Sequence, residues 1–160
     1  MFKKINNFLD KNTFNNFKEL LLWNNFPWFY QYTVGSLSDE SDFYFCHYLF
    51  NEQGQCSQYF PRIVMPILGK LSFNNLLRVK ANLYTKKEKE IQTQFHTDFE
   101  NSHTVVLYSI NKNNGYTLLE DGTKIYSEEN TCIIFDGKIK HCSVAQTDTN
   151  SRVNININLC

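Results

Sequence analysis

Four side chains carry the chemistry that this chain offers: His96 and Asp98 in the run Gln94-Phe95-His96-Thr97-Asp98-Phe99, His141, and Arg152. The spacing predicts an extended segment over 94–99. Residues i and i+2 of a strand point to one face, so an imidazole and a carboxylate converge there. His141 opens a later strand-like run and Arg152 opens the last one. Two histidines and one carboxylate form the facial set that holds non-haem Fe(II) with coordination positions left open. A structural zinc site would be closed by a fourth ligand.

Each residue alone has a plainer reading. A His-x-Asp pair occurs on many strand surfaces, and an isolated histidine is more often a hydrogen-bonded structural residue. The weight rests on the combination. His103, beside the turn-like Glu100-Asn101-Ser102, is the rival ligand and is expected to be exposed. His47, in an aromatic segment, reads as structural. Cys142 follows His141 directly, so on a strand it points away from the metal. A guanidinium such as that of Arg152 suits a carboxylate held by two parallel hydrogen bonds.

These residues need a scaffold. Phe14, Phe17, Leu21 and Leu22 predict a helix over 5–24, capped by Asn12 or Thr13 and ended by Asn24-Asn25. Residues 28–34 read as a strand or ordered loop, 35–42 as a loop, 42–50 as extended, and 51–54 as a turn. Phe60, Ile63, Val64, Ile67 and Leu68 predict a second helix, with Ser57 as cap, Gly69 as stop and Pro66 as a kink or the end of its first part. From Leu76 the period changes. Strand-like runs at 76–85, 91–99, 104–111, 116–120, 123–126, 131–135, 140–145 and 152–159 are separated by turns such as Asn113-Asn114-Gly115, Asp121-Gly122 and Asp136-Gly137. Many short strands at this spacing imply a sandwich or jelly-roll barrel. The expected organisation is one domain over 1–160: a helical and aromatic part over about 1–75, then a β core over about 76–159.

Two strands have clean faces. Arg78, Lys80, Asn82 and Tyr84 alternate with Val79, Ala81 and Leu83, and Arg152, Asn154, Asn156 and Asn158 alternate with Val153, Ile155, Ile157 and Leu159. The apolar faces are expected to pack under the two helices. The polar faces then line a wet cavity suited to a polar ligand; for either strand alone, a polar face turned to solvent is the commoner case, and the ligand set from neighbouring strands weighs against it. Lys80 and Asn82 are assigned to its substrate side. The charge run Lys86-Lys87-Glu88-Lys89-Glu90 reads as a solvated turn that could also cover the cavity mouth.

Composition narrows the field. With 16 basic and 16 acidic residues the chain lacks the cationic excess of a protein held by phosphate contacts, so nucleic acid is not an expected partner. Five cysteines, an odd number with no Cys-x-x-Cys pair, argue against a disulfide framework or a zinc ribbon, and reduced thiols are expected. The N-terminal stretch lacks the apolar run of a signal peptide, and no segment has the length of a membrane span, so a cytoplasmic location is expected, in a host cytoplasm if the source is viral.

The order His96-x-Asp98, His141, Arg152 resembles that of the Fe(II)/2-oxoglutarate-dependent oxygenases of double-stranded β-helix fold. More narrowly it is similar to the prolyl-4-hydroxylase-like branch, in its small phage and marine microbial form. The likeness extends over roughly residues 76–159, through Arg78-Val-Lys-Ala-Asn-Leu-Tyr84, Phe95-His-Thr-Asp98, Asn114-Gly-Tyr-Thr117, Phe135-Asp136 before Lys140-His141, and Ser151-Arg-Val-Asn154. It implies a mostly β protein with N-terminal helices, its jelly-roll, cupin-like core supported by two helices. It also implies Fe(II) on His96, Asp98 and His141, and 2-oxoglutarate on Arg152, with Tyr84, Asn154 and Thr117 around it. The implied reaction is an O2-dependent hydroxylation of a C–H bond with release of succinate and CO2, ascorbate being a possible requirement in vitro. The implied substrate is a peptidyl prolyl or other protein side chain. The alternatives are a small molecule such as a free amino acid, and a non-catalytic metal-binding β-helix module. Ser109 stands where a tyrosine is common, and Gly115 where a Gly-Gly pair is frequent. Asn158 replaces the second arginine of the nucleic-acid dealkylases, which argues against repair of alkylated bases. Asp98 argues against halogenation, whose enzymes carry a small residue there.

Overall fold

The computed structural model describes residues 1–23, 25–32 and 43–160. The strands are β1 (Phe2–Asn6), β2 (Phe29–Gln31), β3 (Tyr44–Asn51), β4 (Gly54–Gln55), β5 (Leu76–Thr85), β6 (Thr104–Ser109), β7 (Tyr116–Leu119), β8 (Lys124–Tyr126), β9 (Thr131–Asp136), β10 (His141–Val144) and β11 (Ser151–Leu159); the helices are α1 (Lys11–Leu22) and α2 (Phe60–Leu68). The strands form two antiparallel sheets. The larger has the order β1-β9-β6-β11-β5-β3-β2, with β4 added to β3, and the smaller has the order β10-β7-β8. This is the expected mostly-β jelly roll with two supporting helices.

The two-residue period of β5 and β11 organises the whole. They pair antiparallel with Arg152 opposite Tyr84, Asn154 opposite Asn82 and Asn156 opposite Lys80. Their apolar faces turn outward. Val79, Ala81, Val153, Ile155 and Ile157 join Val106 and Tyr108 of β6, Phe14, Phe17 and Leu21 of α1, and Ile63, Val64 and Ile67 of α2 in one buried cluster. Burying such side chains contributes about 1.5–3 kcal/mol each. Their polar faces turn inward, toward the smaller sheet. Beyond them, Val105, Leu119, Ile125, Ile133 and Phe135 close the interior with a second apolar cluster.

The N-terminal expectation needs correction. α1 begins at Lys11, and Phe2–Asn6 is instead a strand on β9, with Phe2 opposite Phe135. The cap is Asp10, whose carboxylate accepts from the backbone N–H of Asn12 and Thr13 at 3.1 and 3.0 Å. Backbone pairing with a strand more than a hundred residues away overrides the local preference of 2–6. Asn24 and residues 33–42 lie outside the described residues, so the predicted 35–42 loop and the end of the 28–34 segment do too. In α2 the helix runs two residues past Pro66 before Gly69 caps it. Pro66 deprives the carbonyl of Arg62 of its usual donor, and Arg62 sits on the solvent side, where water serves instead. Ser57 does not cap the helix from its Ncap position, which Tyr59 occupies; its hydroxyl accepts from the Tyr59 N–H at 3.1 Å just upstream.

The 91–99 run is not a strand. It is a connection tied to β10 by two isolated bridges, Gln92 to Val144 and His96 to His141. All five cysteines are free, and among the described residues no helix is long and apolar enough to cross a membrane.

Candidate metal and dicarboxylate site

The convergence of His96 and Asp98 survives the loss of the strand. His96 donates its backbone N–H to the His141 carbonyl at 3.0 Å, and His141 returns one to His96 at 2.9 Å. This reciprocal pair sets the two imidazoles side by side, with ring centroids 4.9 Å apart. Asp98, two residues on, reaches the same place. One ligand atom from each of His96, Asp98 and His141 lies within 4.8 Å of the others.

The protonation pattern suits a cation. His141 Nδ1 is 3.1 Å from the Ile139 carbonyl, and His96 Nδ1 is 3.2 Å from the Gln94 carbonyl. A carbonyl only accepts, so each Nδ1 carries a proton and Nε2 is the ring atom left for a cation. Burial lowers the pKa of His141, against the backbone bond to Ile139 and the charge of Asp98, and keeps the ring neutral. Burial alone would raise the Asp98 carboxyl. The Arg78 guanidinium, the Asn158 amide and Lys80 outweigh it and hold the group well below the usual carboxylate range. Two imidazoles and one carboxylate match the donor set of Fe(II).

Asp98 is itself held. Arg78 Nη2 donates to Oδ1 at 2.5 Å, while Asn158 and Asn156 donate to Oδ2 at 2.9 and 3.2 Å. Arg78 Nε also donates to Asn158 Oδ1 at 3.1 Å, and its guanidinium lies 4.8 Å from the Phe99 ring centroid. The sequence placed Arg78, Asn156 and Asn158 on the wet face but gave none of them this role. The period-2 alternation was the available signal.

Arg152 lies deeper in the same cavity, with only 3% of its surface exposed. Its Nε donates to Ser127 Oγ at 2.8 Å, Nη1 to Ser143 Oγ at 2.9 Å and to the Tyr116 and Val144 carbonyls at 3.2 Å, and Nη2 to Thr117 Oγ1 at 3.2 Å. Burial pushes its pKa down, with the Tyr84 hydroxyl acting against it. Among the described residues no acid pairs with it. Ser127 and Ser143 were not found from sequence, since a lone serine on a short strand carries no signal. Gly115 makes room: a Cβ there would stand 3.1 Å from Arg152 Cδ.

The remaining predicted residues fall around this frame. Tyr84 puts its ring under the guanidinium, 5.5 Å from centroid to Cζ, and stacks on Tyr44. Asn154 accepts from Asn82 Nδ2 at 3.0 Å. Lys80, Asn82, Tyr84, Thr117, Arg152 and Asn154 line one cavity of about 340 Å³ together with His96, Asp98 and His141. Cys142 also borders it, outside the ligand cluster, and burial pushes its thiol up to about 11. His103 departs from expectation: it is buried, not exposed. Its ring fills the notch left by Gly137, where a Cβ would lie 2.1 Å from Nε2, and it packs edge-on against Phe99. It is absent from the ligand cluster. His47 is structural as expected, bonded to the Pro27 carbonyl and the Ser57 hydroxyl, both at 2.7 Å. The 86–90 run is largely exposed, and Lys87 is tied by its backbone N–H to Gln146.

No family model matches the chain, and no curated protein matches it. Solved structures do. A prolyl-4-hydroxylase of Pseudomonas putida aligns at TM-score 0.65 and 11% identity over 99% of this chain and 91% of its own. A prolyl hydroxylase of Trichoplax adhaerens, in complex with a hypoxia inducible factor peptide fragment, aligns at 0.61 and 16% over 99% and 82%. The epimerase SnoN, in complex with Fe3+, alpha ketoglutarate and nogalamycin RO, aligns at 0.63 and 10% over 98% and 77%. At these identities the likeness establishes the fold alone: the chain shares the overall fold of these structures.

Proposed function

We propose that this protein is an Fe(II)- and 2-oxoglutarate-dependent dioxygenase that hydroxylates an unactivated C–H bond. The carrying observation is Arg152: a buried guanidinium with no acid partner among the described residues, in the same cavity as a His-Asp-His cluster. An unmatched buried cation is costly, and a carboxylate from outside is its natural counterion. His96, Asp98 and His141 would hold Fe(II), and Arg152 would hold the distal carboxylate of 2-oxoglutarate. When bound, metal and co-substrate supply oxidative chemistry with O2 that ends in succinate, CO2 and a hydroxylated product.

The chain's own residues position these groups. Arg78 and Asn158 fix the Asp98 carboxylate, leaving Oδ2 on the side of His141, 3.9 Å from its Nε2. The backbone carbonyls at 94 and 139 fix the histidine tautomers. Ser127, Ser143 and Thr117 fix the guanidinium plane, and Tyr84 supplies the ring beneath it. Asn154 faces the path between the two ends. The substrate carbon belongs either to a peptidyl prolyl or other protein side chain, as in the hydroxylases of this fold, or to a small molecule.

Incubation with Fe(II), ascorbate and labelled 2-oxoglutarate tests the reading. Metal-dependent release of succinate is expected, stimulated by peptide or amino-acid pools and lost in Asp98→Ala. A protein that binds metal yet releases no succinate with any pool would be a non-catalytic module.

A further inference from the structure

Among the described residues, the charges lining the cavity do not balance: Arg78, Lys80 and Arg152 face one acid, Asp98. Arg78 takes Asp98, and 2-oxoglutarate would take Arg152. A divalent metal and a dicarboxylate then cancel each other, so loading the site leaves the excess positive charge in place.

Lys80 is the cation left over. It lies mid-strand on β5, on the inner face between Arg78 and Asn82 and opposite Asn156. Its ammonium forms no ion pair or hydrogen bond with any described residue. What it has is the Tyr48 ring, 5.7 Å from Nζ, a contact too weak to replace a counterion. Burial and the neighbouring Arg78 charge push its pKa down, with Asp98 and Cys46 acting against them, so an anion at this place would favour the ammonium form. A neutral prolyl ring would leave this charge unmatched. The volume, about 340 Å³ shared with the co-substrate, suits a small molecule.

We infer that the substrate is a small carboxylic acid whose carboxylate is held by Lys80 beside the metal cluster. This rests on the dioxygenase reading and narrows its substrate to an anionic small molecule. Lys80 is then a specificity-determining residue: it turns away amides and esters of the same skeleton, which leave the ammonium bare.

Nuclear relaxation tests this without turnover. The protein is loaded with Mn(II) and saturating 2-oxoglutarate under anaerobic conditions, and the methyl protons of acetate and of acetamide serve as probes. Acetate is expected to relax at least about threefold faster than acetamide at equal concentration, as a charge-selective subsite requires. Lys80→Met is expected to bring acetate down to the acetamide level, and Lys80→Arg to keep the preference. Both variants should bind 2-oxoglutarate within about twofold of wild type, which also reports that they are folded. If Lys80→Met does not fold, Lys80→Gln takes its place. Equal relaxation of the two probes in wild type, or an unchanged preference in Lys80→Met, overturns the inference. So does loss of 2-oxoglutarate binding in a folded Lys80→Met protein, since Lys80 would then serve the co-substrate. Failure of wild type to bind 2-oxoglutarate at all overturns the dioxygenase reading instead; the same probes with Mn(II) alone still read the anion preference of Lys80.

Discussion

The two ends of the cavity treat charge in opposite ways. At the Asp98 end the carboxylate and Arg78 are already paired, with side chains 7% and 18% exposed, and two asparagine amides complete the carboxylate's bonds. At the Arg152 end the guanidinium is more deeply buried and meets only neutral oxygens among the described residues. The first arrangement is finished and holds the carboxylate of the His-Asp-His cluster in place. The second is unfinished and stores an attraction for an anion. A buried charge that its own fold leaves unmatched says more about the missing ligand than a buried ion pair does.

The contrast predicts opposite stability effects. Asp98→Ala removes the carboxylate proposed to hold the metal and strands Arg78 in a partly buried place. A loss of about 2–4 kcal/mol in the metal-free protein is expected by urea denaturation, together with loss of Mn(II) binding by calorimetry. An unchanged midpoint would mean that the pair contributes nothing to folding. Gly137→Ala acts on the packing behind this end. The new methyl group meets the His103 ring, which leans on Phe99 under Arg78. Overpacking of this kind costs about 1–3 kcal/mol, and the Mn(II) affinity should fall with it. Arg152→Met, at the other end, should change the stability of the metal-free protein by less than about 1 kcal/mol, or raise it, because no partner is left behind with a bare charge. A large loss there would mean that the neutral oxygens alone satisfy the guanidinium.

Much of this was legible before the fold was known. The alternation of 78–84 and of 152–158 assigned the inner and outer faces of β5 and β11, because a buried sheet face enforces period 2. His96, Asp98, His141 and Arg152 were legible by type and order. The strand expected at 91–99 was not there. The two side chains converge through the reciprocal backbone bridge of His96 and His141, a contact across 45 positions that no local pattern encodes. β1 was hidden for the same reason, since Phe2-Lys3-Lys4-Ile5-Asn6 becomes a strand only against β9. His103 was misjudged because its burial depends on an absent side chain at Gly137. The guanidinium of Arg78 on Asp98 likewise joins residues from separate segments.

The most direct test of a metal and dicarboxylate site is anaerobic calorimetric titration of 2-oxoglutarate into the protein with and without Mn(II). Wild type should bind one equivalent, tightly only with the metal, and Arg152→Met should weaken this at least about a hundredfold, or near 3 kcal/mol, while still binding Mn(II). Equal affinity in wild type and Arg152→Met, or binding indifferent to the metal, would contradict the account.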